Sequence, residues 1–240
     1  MGLHMKKCVA FFCCFFAIQF FNTHYISAKE NIEKRIALTF DDGPRPAVLS
    51  ELLPLLASHH APATFFVIGS VAEDNKEWLT AISKNGHEIE NHSYGHENMR
   101  ILAKEKGIDA VIKSILKTDA IISTSTGRST IFFRPPYWEV SRDAIEYIRH
   151  AGFEVLMLEH PDINTLDYDD TAKKRSSSAL IQRVMGLIER REKKHIFTHV
   201  LVFHELRLTV EALHEIIPLL KRKGYAFVRL DTLSCFPSCE

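Results

Sequence analysis

Two carboxylates stand side by side in IALTFDDGP, where a largely apolar run beginning at Ile36 meets Asp41 and Asp42 and then Gly43-Pro44. Each charge raises the cost of ionising its neighbour. An Asp-Gly turn, in which either acid caps backbone groups, accounts for one of them. Two are useful together when one ligates a cation and the other takes a proton from water, because the cation relieves their repulsion. His92 and His96, four apart in NHSYGH, can meet one ion from a helical face or a tight turn. With a carboxylate added they make a three-ligand, open-position site for Zn²⁺ or a similar divalent ion. The plain alternative is two surface or capping histidines. Arg134, ahead of Pro135-Pro136-Tyr137, is either a solvated charge before a rigid turn or a guanidinium held in place to pair with a carboxylate. His204 closes the apolar run VLVF, where a lone histidine is more often structural than catalytic. Asp162 and Asp167 sit in a polar stretch, residues 160–178.

The elements that must position these residues follow from the pattern of apolar runs. Strands are expected over RIALTFDD, ATFFVIG, HEIENHS, TIFF, FEVLMLEH, HVLVFHE and YAFVRL. Helices are expected between them: AVLSELLPLLASHH, kinked or broken at Pro54; NKEWLTAISKNG; one long helix over 103–127 closed by Gly127; SRDAIEYIRHAG; SALIQRVMGLIERREKK; and TVEALHEIIPLLKRKG. Residues 160–178 read as a long polar loop. Strand then helix, repeated about seven times, is the α/β signature, and near-continuous apolar strands suit a parallel sheet buried on both faces. The alternation fits a closed barrel or an open sheet. In either, sites collect at the carboxyl ends of the strands. Here those ends carry Asp41 and Asp42, His92 and His96, Arg134, the Asp162/Asp167 stretch, and His204. They converge if the strands are parallel neighbours.

Bulk properties narrow the class. The first residues read as a secretory leader: Lys6 and Lys7, an apolar stretch from Cys8 to Phe21, and small residues at Ser27 and Ala28, with cleavage expected after Ala28. The apolar stretch is short for a membrane span, so a membrane link is expected only through an uncleaved leader. Residues 29–240 then form one expected domain. The chain balances 30 basic against 30 acidic residues, without the basic excess of a nucleic-acid binder. Of five cysteines, Cys235 and Cys239 remain after cleavage. In an oxidising compartment the preferred reading is a small terminal disulfide across Pro237, with two free thiols as the alternative.

Taken together, TFDDGP (39–44), HSYGH (92–96) and RPPY (134–137) resemble the first three motifs of the polysaccharide deacetylases of NodB-homology type, carbohydrate esterase family four. The fourth motif, D-x-x-D-W, is met by NTLDY, with Asn164 and Tyr168 at the first acid and the tryptophan and with Asp167 retained. The fifth, L-x-H often followed by Asp, is met by VFH with Val202, His204 and then Glu205. Tyrosine in place of tryptophan narrows an aromatic wall and adds a hydroxyl, which bears on substrate fit. The resemblance implies a distorted (β/α) barrel of about seven parallel strands. It implies that Asp42, His92 and His96 hold a divalent metal, usually zinc, with Co²⁺ or Ni²⁺ also accepted. Asp41 would be the general base kept ionised by Arg134. The backbone N–H of Tyr137 would stabilise an oxyanion, and His204, oriented and kept protonated by Asp167, would protonate the leaving amine. The implied substrates are acetylated N-acetylglucosamine polymers: peptidoglycan, chitin or an exopolysaccharide. O-acetyl esters of xylan-like polymers, small-molecule C–N bonds and a catalytically silent glycan-binding role are the alternatives.

Overall fold

The computed structural model describes residues 33–157 and 162–233. Strand β1 (Lys34–Gly43) is its hub. One edge of β1 pairs with β8 (Tyr225–Phe227) near its start and with β2 (Ala63–Val67) near its end; the other edge pairs with β7 (Thr198–His204). Beyond β2 come β3 (Glu88–Asn91), β4 (Phe132–Phe133) and β5 (Glu154–Val155), and beyond β7 lies β6 (Asp162–Asn164). The order is β5-β4-β3-β2-β1-β7-β6, and every pairing is parallel. The sheet curls into a half-barrel of the distorted (β/α) kind, with short β8 added beside the seven-strand path.

Period-two alternation divides β1 between two cores. Ile36, Leu38 and Phe40 point outward, where they pack with Phe65, Leu201 and Phe203 and with the leucines and isoleucines of the surrounding helices. Those helices are α1 (Pro46–Ser58), α3 (Lys76–Lys84), α8 (Ser177–Glu192) and α9 (Arg207–Arg222), with Ile121 and Ile122 of α5 (Ile108–Thr126). Ala37 points inward with Phe66, Phe132, Val200 and Val202, above a floor made by Leu230 and Leu233. Thr39 and Asp41 share that inward parity. A third cluster, including Met99, Ile115, Phe133 and Ile148, joins β4 to α4 (Met99–Lys106), α5 (Ile108–Thr126) and α6 (Arg142–His150). Each fully buried aliphatic or aromatic side chain contributes about 1.5–3 kcal/mol, so the layers fix the strand ends firmly.

Three local expectations are corrected. Helix α1 continues through Pro54, although the proline removes one N–H donor; Leu49, Leu52, Leu53, Leu55 and Leu56 are buried on both sides of it and hold the helix to the sheet. The long helix over 103–127 is two helices, α4 and α5, separated by Gly107 at φ 80°, a conformation open to glycine. Helix α4 starts before the expected span because the Asn98 side chain accepts hydrogen bonds from the N–H groups of Arg100 and Ile101. The polar stretch 160–178 is not simply a loop: it carries β6 and α7 (Asp167–Ala172). Its charges have partners that sequence spacing does not reveal, since Asp170 is buried against Arg183 and Arg175. A short helix, α2 (Gly69–Glu73), follows β2 unannounced.

Among the described residues no helix is long and apolar enough to cross a membrane. The expected leader, residues 1–28, and the Cys235/Cys239 pair lie outside the described residues.

Candidate active site

A cavity of about 400 Å³ opens at the carboxyl ends of the strands. Asp41, Asp42, His92, His96, Tyr137 and His204 line it, with Pro135, Trp138, Asn164, Tyr168 and Val202 as walls. Successive residues of a regular strand point to opposite faces, so Asp41 and Asp42 should diverge. They do not, because the β1–β2 register shifts between Asp41 and Gly43 and Asp42 becomes an extra, bulged residue at φ 67°. The bulge turns the second carboxylate back toward the cavity. Aspartate tolerates this left-handed backbone better than most residues. The Gly43–Pro44 peptide that follows is cis.

Asp41 is buried and receives a 2.6 Å hydrogen bond from Arg134 Nη1. The same nitrogen donates to Thr39 Oγ1 at 3.0 Å, and the guanidinium lies 3.8 Å from the centre of the Phe66 ring. Arg134 is only 1% exposed, so this is a desolvated, charge-assisted pair inside the half-barrel.

Asp42 Oδ1 lies 3.5 Å from His92 Nε2 and 3.1 Å from His96 Nε2. The three donor atoms fall within 4.8 Å of one another. Burial works against ionising Asp42, but the two imidazoles outweigh it and hold the carboxyl well below the usual carboxylate range. Asp42 Oδ1 is itself buried with no hydrogen-bond partner. His92 Nδ1 sits 2.7 Å from the carbonyl oxygen of Arg134. A carbonyl only accepts, so Nδ1 carries a proton, and Nε2, which faces Asp42, is an N–H donor in the charged ring and a lone-pair ligand in the neutral, cation-binding ring. His96 Nδ1 is 3.1 Å from the Tyr137 hydroxyl, whose ring packs edge-on to the imidazole. An orphaned carboxylate oxygen facing two imidazole nitrogens fits a divalent cation with nitrogen and oxygen preference. The two histidines meet from a turn rather than one helical face, with Ser93 at φ 65° and His96 at φ 56°.

Across the cavity, His204 Nδ1 lies 2.8 Å from Asp167 Oδ1. Asp167 is fully buried; its Oδ2 accepts from the His204 N–H at 2.7 Å and from Thr209 Oγ1 at 2.6 Å. Burial alone would lower the His204 pKa, but the hydrogen bond and charge of Asp167, helped by Asp41 and Asp42, raise it above the ordinary histidine value. Nδ1 is committed to Asp167, so Nε2 is the nitrogen available to a bound molecule. Tyr168 meets the imidazole edge-on, with ring centres 5.1 Å apart. In β6, the other departure from the fourth motif, Asn164, accepts the Leu166 N–H through Oδ1 at 3.0 Å.

Of the residues singled out from the strand ends, five, Asp41, Asp42, His92, His96 and His204, line the cavity, and Arg134 and Asp167 lie beneath it. Asp162 contributes its backbone to β6, opposite Val200. Of the histidines set aside, His87 is buried and accepts the Ala63 N–H, and burial pushes it down to about 4. His199 lies against the Tyr225 hydroxyl. Sequence reasoning passed over Thr39, Thr209, the Tyr137 hydroxyl and Glu205. Thr39 was within reach of it, being two residues before Asp41 on the same strand face. Thr209 comes from α9 and carries no sequence signal. Glu205 is 1% exposed, accepts the Arg45 N–H at 2.6 Å, and is pushed up to about 8 by burial, with Arg45 opposing and Asp42 assisting.

The family model described as polysaccharide deacetylase matches residues 28–156. A peptidoglycan-N-acetylglucosamine deacetylase of Bacillus cereus is 33% identical over 198 residues, spanning 82% of this chain and 67% of the relative. The crystal structure of a peptidoglycan N-acetylglucosamine deacetylase superposes with a TM-score of 0.71 at 30% identity, covering 83% of this chain and 87% of that one. A pseudoenzyme of the same esterase family from Bacillus anthracis superposes with a TM-score of 0.70 at 25% identity, covering 83% of this chain and 65% of that one. The chain therefore spans about two thirds of the length of two of these three proteins.

Proposed function

This chain belongs to the polysaccharide deacetylase family, and from that premise we propose that it is a secreted, divalent-metal-dependent hydrolase that removes N-acetyl groups from N-acetylglucosamine-containing glycans. The observation that carries the reading is one cavity holding an Asp-His-His donor set between an arginine-held carboxylate and an aspartate-held imidazole. Asp42, His92 and His96 would hold the ion, zinc first, with cobalt or nickel as substitutes. When bound it supplies positive charge that acidifies a neighbouring water and polarises the acyl oxygen.

The chain's own residues do the rest. Asp41, pointed by Arg134, takes a proton from the attacking water as its oxygen bonds to the acetamide carbon. The backbone N–H of Tyr137 donates to the oxygen of the tetrahedral adduct. His204, protonated at Nε2, delivers that proton to the nitrogen as the C–N bond breaks, leaving acetate and a free amine on the sugar. Trp138 and Tyr168 supply the flat apolar walls that a pyranose ring stacks on. Peptidoglycan is the favoured polymer, because similar proteins carry that activity in their names. The leader over residues 1–28 would deliver the enzyme to such a substrate outside the cytoplasm. A silent, glycan-binding role is disfavoured because every proton-transfer residue is present and aimed at the cavity.

Chelation provides the test. Dialysis against a strong chelator should abolish acetate release from acetylated glycan, and adding Zn²⁺ should restore it. Hydrolysis indifferent to chelation would overturn the metal-dependent reading.

A further inference from the structure

Asp42 reaches its ligand position only because the chain adopts a left-handed backbone at φ 67° inside a bulge. Such a conformation persists where the surroundings over-determine it. One residue, Glu205, meets the chain on both sides of the bulge. The Glu205 N–H donates to the carbonyl oxygen of Asp41 at 3.3 Å, and Glu205 Oε2 accepts the N–H of Arg45 at 2.6 Å. Glu205 therefore fastens the chain on both sides of residues 42–44. Its carboxyl lies so close over Gly43 that a Cβ there would overlap Oε1. Gly43 is not in a left-handed conformation, so its lack of a side chain serves this close approach rather than backbone freedom. Glu205 is almost completely buried and is not itself part of the cavity lining; its one hydrogen bond to a lining residue is that of its N–H to the Asp41 carbonyl.

Resting on the proposed metal site, we propose that Glu205 is a positioning residue for Asp42. Its carboxyl locks the turn over residues 43–45, and through it places Asp42 Oδ1 opposite His92 and His96. The length of the glutamate side chain lets this carboxyl span from the end of β7 to the Arg45 N–H. Glu205 acts through the ligand it holds in place.

The test reads metal affinity rather than turnover. Apo-protein is titrated with Zn²⁺ against a chelating indicator for the wild type, Glu205→Ala, Glu205→Gln, Gly43→Ala and the Gly43→Ala/Glu205→Ala pair, with far-UV circular dichroism confirming folded protein. Outer partners of metal ligands typically govern affinity by about 10- to 100-fold, and a loss of that size is expected for Glu205→Ala. Glu205→Gln keeps an oxygen for the Arg45 N–H and should retain most of the affinity. Gly43→Ala should lose affinity in the wild-type background and add little once Glu205 is already alanine. Equal affinity for the wild type and Glu205→Ala would overturn the inference, as would additive losses for Gly43 and Glu205. Absence of Zn²⁺ binding by the wild type would instead overturn the metal site on which the inference rests.

Discussion

At the scale of single residues, the site is built from two supported pairs, and each makes a prediction. Arg134 and Asp41 are both buried, so removing the guanidinium strands a desolvated carboxylate. Arg134→Met should therefore destabilise the fold by about 3–5 kcal/mol in chemical denaturation. Adding Asp41→Asn should recover part of that loss; two simply additive losses would contradict the pairing. In the proposed mechanism His204 and Asp167 set the alkaline side of the activity profile. The His204 pKa is raised, so its protonated, proton-donating form is fully present at low pH and is lost as pH rises through that raised value. In Asp167→Asn the largest raising influence is gone, and the alkaline limb of kcat/KM should move to lower pH. A limb that stays in place would exclude His204 as the proton donor. These residues were legible in the sequence because each ends an apolar run with a chemically committed side chain. Thr209 was not, because a threonine in the first turn of a helix looks the same whether or not a buried aspartate lies against it.

The elements show where linear pattern stops informing. Gly107 interrupts an otherwise helical pattern, and the cost of about 1 kcal/mol for glycine inside a helix did not reveal that the chain turns there. The stretch 160–178 looked like a loop because its acids find partners far away in sequence, Asp170 with Arg183 and Asp167 with His204 and Thr209. Strand β3 hides a further surprise on its inward face. Glu90 is almost fully buried, two residues from Glu88 on the same side, and accepts the N–H groups of Ile131 and Phe132. Burial first, and then the charge of Glu88, push its carboxyl up. The folded chain thus keeps a proton that an unfolded glutamate releases above about pH 4.5, so stability declines as pH rises beyond that point. One such proton is worth about 1.4 kcal/mol per pH unit. Glu90→Gln, which keeps the acceptor oxygen, should unfold at higher temperature than the wild type by a margin that widens between pH 5 and pH 8. A constant margin would show that Glu90 does not hold the proton.

For the molecule as a whole, the parallel strands gather residues separated by more than 160 positions, Asp41 on β1 and His204 on β7, as register partners on adjacent strands. Alternation of strand and helix segments announced the α/β class but left both the barrel and the open sheet possible. Three motifs in order then implied the curled barrel, and the strand order bears that out. What no pattern could give was the bulge at Asp42, where the β1–β2 register shifts and a glutamate that follows β7 lies against the glycine that ends β1. The account as a whole rests on one chemical event, proton removal from water by Asp41 beside a metal held by Asp42, His92 and His96. Acetate release from a short N-acetylglucosamine oligomer, measured for Zn²⁺-loaded wild type and Asp41→Asn, tests it most directly. The account predicts release by the wild type and a loss of about 10²- to 10⁴-fold in kcat for the variant. Release that survives Asp41→Asn undiminished, or no release from wild type shown to hold zinc and offered peptidoglycan as well, would contradict it.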